Sequence, residues 1–176
     1  VSSARDRVLE TATRLFYAEG IHTVGIDRVI AEAAVAKATF YHHFKSKEEL
    51  VLAYLTTEYA RQRELLGGAD GQGVERIETI LAKLAEVSAG PGFRGCPFLN
   101  AAAEYSDPGH PVRHLVDDYR TWYRTLMLDI LVAADRPGAE QKADLLLLVR
   151  DGITVAGGLG DQAAVAAGVR TALASV

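Results

Sequence analysis

Apolar residues recur at three- and four-residue spacing along most of this 176-residue chain, and nowhere is a two-residue alternation sustained. The first period lines side chains along one stripe of a helix, whereas a half-buried strand needs the second. The chain is therefore read as all-α. Val8, Leu9, Ala12, Leu15 and Phe16 form such a stripe over 4–18. Glu19-Gly20 ends it, because glycine tolerates the left-handed turn that closes a helix. Ile26, Val29, Ile30 and Ala33 give a short second helix, and Phe40 and Phe44, four apart, share one face of a third. Longer helices are predicted at 47–66, 74–89, 98–106, 111–134, 138–157 and 161–175. Pro91, Pro97, Pro108, Pro111 and Pro137 all fall in breaks or first turns, where a missing N–H is harmless. The clearest break is "GGADGQG" at 67–73; it lacks the Lys-Ser/Thr that a phosphate-binding loop needs.

The balance of 49% hydrophobic and 24% charged residues is that of a globular chain long enough to bury a core. A net charge of −4 argues against a protein that coats nucleic acid indiscriminately. The charge is unevenly placed, however. Residues 1–47 hold seven Lys/Arg (Arg5, Arg7, Arg14, Arg28, Lys37, Lys45, Lys47) against five Asp/Glu (Asp6, Glu10, Glu19, Asp27, Glu32), a basic module on an acidic remainder. The opening residues show no signal-peptide pattern. No apolar run approaches a bilayer span, the longest being "LLLLV" at 145–149. The single cysteine, Cys96, leaves no internal disulfide to form. The expectation is a cytoplasmic protein with no membrane association.

The basic module ends in "KATFYHHFKSKEEL" (37–50), where aromatic, histidine and lysine side chains crowd together. Three short helices followed by a long fourth, with a tight turn between the second and third, is the helix-turn-helix plan. In that plan the third helix enters the DNA major groove and the second crosses the phosphate backbone. Phe40 and Phe44 would anchor the third helix to the small core. Lys37, Ala38, Thr39, Tyr41 and His42 are then left for the groove and its walls, and Gly25 and Arg28 on the second helix face the backbone. His43 lies near the anchoring face and is read as structural. Ser46 followed by Glu49 reads as a capping box. Lys47, at the start of the fourth helix, can hold a phosphate together with backbone N–H groups. The expected domains are 1–46, a helix-turn-helix DNA-binding domain, and 47–176, a helical body whose first helix (47–66) links the two.

These residues resemble the tetracycline-repressor (TetR) family of transcriptional regulators. The resemblance rests on "LETATRLFYAEGIHTVGIDRVIAEAAVAKATFYHHFKSKEELV" (9–51), above all Thr39-Phe40-Tyr41-His42-His43-Phe44 and Lys47-Glu48-Glu49-Leu50. A second segment, "GCPFLNAAAEYSD" (95–107), is similar to one opening the sixth helix in a branch of the same family. Three positions depart from the pattern. Ala34 stands where the turn often has glycine, and Gly25 and Ala36 stand where Ser or Thr often caps the second and third helices. The resemblance implies a ligand-responsive repressor, released from a palindromic DNA operator by a small effector. It also implies a homodimer formed through the last two helices, whose faces run Leu145, Leu148, Val149, Gly152, Val155, Ala156 and Val165, Ala166, Val169, Ala172, Leu173.

In the body, aromatic and soft residues cluster: Phe93, Cys96, Phe98, Tyr105, Tyr119, Trp122, Tyr123 and Met127, with Asn100 among them. Taken singly, each is an ordinary core residue. Taken together they can line a pocket between helices, as the resemblance implies, for a hydrophobic or aromatic effector. Cys96, beside Pro97 and Phe98, reads as a buried small hydrophobe rather than a reactive thiol. His42 and His43 diverge by about 100° and cannot share an ion. His110 and His114, spaced i,i+4 near Asp107, Asp117 and Asp118, read as surface residues rather than metal ligands. Ser88, Ser106 and Ser175 have no nucleophile motif around them. No enzyme activity, metal or cofactor is expected.

Overall fold

The computed structural model describes residues 3–176. Among them are nine helices and no strand: α1 (Ala4–Glu19), α2 (Ile26–Glu32), α3 (Lys37–His43), α4 (Lys47–Gly67), α5 (Gly73–Ser88), α6 (Pro97–Glu104), α7 (Pro111–Ala133), α8 (Ala139–Gly158) and α9 (Gln162–Ser175). The all-α reading holds, with boundaries within about two residues of those expected from spacing. None of these helices is long and apolar enough to cross a membrane.

The chain forms two compact units. The first takes the residues up to Ala60 together with Pro97–Val116; the second takes Arg61–Cys96 and Asp117–Val176. Thus α6 and the first turns of α7, far along the sequence, belong with the three N-terminal helices. Helix α4 contributes to both units.

The first unit is built on the α1 stripe. Val8, Ala12, Leu15 and Phe16 are buried with Val29 of α2, Phe40 and Phe44 of the third segment, and Leu50, Val51, Tyr54 and Leu55 of α4. Truncating either fully buried phenylalanine would cost about 3–5 kcal/mol. Helix α1 opens on a capping box in which the Ser3 hydroxyl accepts from the Asp6 N–H and the Asp6 carboxylate accepts from the Ser3 N–H. It closes on Gly20 at φ 96°. Helices α2 and α3 have no side-chain cap at Gly25 or Ala36, as their sequence implied. The turn between them places Ala34 at φ 51°, a left-handed conformation that glycine adopts more cheaply. At α4, Ser46 accepts from the Glu49 N–H at 3.1 Å. Glu49 reaches back past Ser46 to the Lys45 N–H at 2.6 Å, one residue further than in a standard capping box.

In the second unit α5, α8 and α9 pack on one another, with α7 completing the core. Ile77, Ile80, Leu81 and Leu84 of α5 meet Tyr123, Met127, Ile130 and Leu131 of α7 and Leu146 and Ile153 of α8. Gly157 of α8 lies so close to α5 that an added Cβ would stand 2.5 Å from the Cβ of Ser88.

Helix α8 carries an inward residue that the sequence reading did not single out. Its buried side is Ala143, Leu146, Arg150, Ile153, Thr154 and Gly157. Leu145, Leu148, Val155 and Leu159 are exposed, Leu148 at 64% and Leu159 at 81%. An arginine is turned into the core while leucines face outward.

Candidate functional site

The outer face of α3 is the first half of the site. Phe40 and Phe44 are buried, with their rings 6.1 Å apart. That burial leaves Lys37, Ala38, Tyr41 and His42 exposed and Thr39 half-buried. His43 is half-buried, and its ring meets that of His42 edge-on at 5.0 Å. The Tyr41 ring stands edge-on to Phe40 at 5.2 Å, so its hydroxyl end is carried on a fixed base. Lys45 donates to the carbonyls of Tyr41 (3.1 Å) and His42 (3.2 Å), satisfying the C-terminal end of α3. Sequence reasoning missed this lysine's role. Its position two residues past the end of α3 was the available signal.

Two cations expected at the DNA face are already paired. Arg28 donates from Nη1 and Nη2 to the Glu19 carboxylate (2.5 and 2.8 Å) and from Nε to Glu32 (2.9 Å). Arg14 reaches the same Glu32 at 2.6 Å, so the cluster ties α1 to α2. Hydrogen bonds from Arg28 hold the Glu19 carboxyl below its ordinary range, and those from Arg14 and Arg28 do so for Glu32. Lys37 contacts Asp27 at 3.2 Å through two exposed side chains. Lys47 is half-buried, with its ammonium 6.0 Å from the Phe16 ring centre. Burial pushes its pKa down and Glu104 pulls it back up. Gly25 is exposed, with no atom within 4 Å of where a Cβ would stand.

The turn that leads from α1 into α2 is held from α6. The Glu104 carboxylate accepts from the Ile21 N–H at 2.8 Å and the His22 N–H at 2.6 Å. The His22 ring packs on Tyr105 (4.9 Å), which packs in turn on His110 (4.5 Å). His110 accepts from the Val112 N–H through Nδ1 and lies 3.6 Å from Glu48 through Nε2. It therefore caps the start of α7. Among the described residues no group of three or more His, Cys, Asp or Glu side chains is placed to hold a metal ion.

The residues expected around an effector divide between the units. Phe98, Asn100 and Tyr105 belong to the first; Phe93, Cys96, Tyr119, Trp122, Tyr123 and Met127 belong to the second. In the second unit Tyr119, Tyr123 and Met127 are fully buried. The Trp122 ring lies 5.7 Å from Tyr119 and 6.5 Å from Tyr123. Cys96 is buried, but its surroundings are charged rather than apolar, because Arg150 is turned inward. Arg150 Nη2 stands 2.7 Å from the Cys96 sulfur and 2.9 Å from the Tyr119 hydroxyl, while Nη1 donates to Asp151 at 2.6 Å. Its guanidinium also lies 4.7 Å from the Tyr119 ring centre. Burial works against the Arg150 charge, but Cys96, Tyr119 and Asp151 outweigh it and hold the group cationic. Burial pushes the Tyr119 and Tyr123 hydroxyls well above the ordinary phenol range, with Arg150 opposing. An open cleft of about 570 Å³ lies elsewhere in this unit, bordered by Gln72, Arg76, Leu126 and Asp129.

Three short helices around a buried phenylalanine pair, with the outer face of the third left exposed, define a helix-turn-helix protein. Comparison with known proteins narrows this. Residues 8–54 match the family model described as bacterial regulatory proteins, tetR family, and residues 73–170 match the tetracyclin repressor-like C-terminal domain. The chain is 30% identical over 125 residues to the HTH-type transcriptional regulator LmrA of Bacillus subtilis, covering 68% of this chain and 66% of LmrA. It is 30% identical over 118 residues to the HTH-type transcriptional repressor NemR of Escherichia coli K12, covering 64% of this chain and 59% of NemR. The matches thus span less than two thirds of these relatives' own lengths. The crystal structure of a TetR-family transcriptional regulator from Streptomyces coelicolor superposes with a TM-score of 0.92 at 40% identity, covering 98% of this chain and 95% of that one. The chain belongs to the TetR family, whose members matched here are transcriptional regulators and not enzymes.

Proposed function

We propose that the protein is a ligand-responsive, DNA-binding repressor, released from a palindromic double-stranded operator by a small hydrophobic or aromatic effector. The observation that carries the reading is the division of α3 into a buried Phe40/Phe44 side and an exposed side bearing Lys37, Ala38, Tyr41 and His42. The exposed side, with Thr39, is taken into the major groove. Lys47, at the start of the 21-residue α4, takes a phosphate together with the free N–H groups of that helix. Gly25, with open space around it, lets the backbone approach a phosphate closely. Arg28 reaches a phosphate only by releasing Glu19 or Glu32, and serves first to fix α2 against α1.

One seven-residue α3 reads only a few base pairs, so operator recognition calls for two copies. The exposed Leu145, Leu148, Val155 and Leu159 of α8, with the open Gly152 between them, supply an apolar face for the second copy. The effector acts by a population shift, favouring a dimer geometry whose recognition helices no longer match successive grooves. Helix α4 gives that change a continuous backbone route.

The test is a gel shift against the DNA upstream of the protein's own gene, at low salt where phosphate contacts are strongest. A complex with a palindromic site is expected, weakened by Tyr41→Ala and by Lys47→Ala. Failure to bind any palindrome refutes the reading; unchanged affinity in both variants refutes the site. Leu148→Glu should convert a dimer to a monomer in sedimentation velocity, and a dimer that survives it excludes the α8 face.

A further inference from the structure

The buried cation of the second unit has one donor that finds no acceptor. Arg150 is 1% exposed, and its Nη1 and Nη2 groups are engaged by Asp151, Cys96 and Tyr119, but its Nε–H has no hydrogen-bond partner. The Tyr123 hydroxyl, on a residue with no exposure at all, is also without a partner. Tyr119 and Tyr123 are one turn apart on α7 and so share a face, and Tyr123 lies within electrostatic reach of Arg150, Tyr119 and Asp151. Two orphaned donors in one buried neighbourhood are uncommon, because a buried polar group without a partner is costly.

The charges of this cluster point to what would satisfy them. Asp151 serves two guanidinium groups, accepting from Arg150 on Oδ1 and from Arg120 on Oδ2. The ion pairs therefore set two positive charges against one negative. Cys96 and Tyr119 meet Arg150 through a sulfur and a hydroxyl, both on Nη2, and leave Nε unengaged. A neutral ligand would leave the excess charge unanswered, and a phosphate would bring more negative charge than the cluster can match. A single carboxylate balances it. The adjoining Trp122 ring and the buried Met127 are apolar, so the remainder of such a molecule would be hydrocarbon or aromatic.

We propose that Arg150 and Tyr123 form a carboxylate subsite within the second unit, whose ligand is an apolar monocarboxylic acid accepting from Arg150 Nε and Tyr123 Oη. The subsite deepens the effector reading above and rests on it for its role in regulation. The bound carboxylate receives one charge-assisted bond from the guanidinium and one from the phenol.

The experiment uses the full chain with acids and their uncharged counterparts: benzoate, phenylacetate and octanoate against benzamide, phenylacetamide and octanamide. Thermal shift and calorimetry should show at least one acid binding, with its amide about tenfold weaker or more, the loss of about one strong polar contact. Tyr123→Phe keeps the ring in the core and should weaken that acid about tenfold. Arg150→Met should abolish acid binding; if that variant does not fold, Tyr123→Phe carries the test. The proposal is overturned if no acid binds, if acid and amide bind equally, or if Tyr123→Phe leaves acid affinity unchanged. A crystal structure with a fixed water bridging the two donors in saturating acid would also overturn it. The operator complex separates the two readings. An acid that binds without releasing operator leaves the subsite standing and removes its effector role. A neutral ligand that releases operator, where no acid binds, leaves the effector reading and removes the subsite.

Discussion

Removing the Glu104 carboxylate should loosen the turn between α1 and α2 without replacing any residue proposed to face DNA. Glu104 accepts from the N–H groups of Ile21 and His22 at 2.8 and 2.6 Å, and its side chain is only 23% exposed. A hydrogen bond to a charged group contributes about 1.5–3 kcal/mol, and the Ile21 donor, on a buried residue, becomes an orphan when the carboxylate goes. The His22 end is exposed and regains water. Glu104→Ala should therefore cost about 2–4 kcal/mol, at the lower end if water enters the turn. For a chain of this length that is a fall in melting temperature of roughly 4–16 °C. The local readout is amide hydrogen exchange at residues 21 and 22, which should accelerate with the lost stability, while operator affinity falls because α2 is less firmly placed. Glu104→Asp, one methylene shorter, should keep one of the two bonds and fall between. If exchange at residues 21 and 22 is unchanged in Glu104→Ala, the carboxylate does not hold this turn and the reasoning fails.

Three further outcomes follow from local geometry and charge. Gly157→Ala should destabilise the second unit by about 1–3 kcal/mol through overpacking against the Ser88 Cβ, and Ser88→Gly should recover part of the loss in thermal unfolding. Ala34→Gly should stabilise the first unit by about 1 kcal/mol in urea unfolding, because the φ of 51° is strained only for a residue with a Cβ. The Arg28 cluster sets a pH dependence. The Glu19 and Glu32 carboxyls are depressed below their unfolded value of 4.5, so their stabilisation is complete above that pH and is lost as pH falls through the lower folded values. Arg28→Ala should lower the melting temperature at pH 7 and have a smaller effect in acid; an equal effect at both would assign Arg28 a packing role instead.

The helices were legible because spacing and punctuation agree: the α1 stripe ends at Gly20, and α7 opens on Pro111. The two faces of α3 were legible for the same reason, since Phe40 and Phe44 can share a buried side only if Tyr41 and His42 point away. The inward side of helix α8 was not: Leu145, Leu148 and Val155, read as the face for a second copy, are exposed, but nothing in the spacing put Arg150 inside. Beside the adjacent Asp151, the partners that make an inward arginine tolerable are Tyr119 and Cys96, 31 and 54 residues away. No periodicity within one helix encodes them. Arg28 shows the same limit at shorter range: its exposure was foreseeable, but its engagement with Glu19 and Glu32 depends on how α2 crosses α1. Glu104 lay in the second segment that marked the family resemblance, but its grip on residues 21 and 22 is tertiary.

That grip also sets an order of events during synthesis. The N–H groups of Ile21 and His22 are made 83 and 82 residues before the carboxylate that receives them. At about 5–20 residues per second, roughly 4–17 seconds of translation separate donor from acceptor. For that interval the nascent reading helices exist with their entry turn unpinned, and closing so large a loop is itself slow. The three N-terminal helices thus have their entry turn pinned only after the chain has passed through much of the body. A chain stopped at Ala60 would carry every side chain proposed to face DNA and still lack the group that pins this turn.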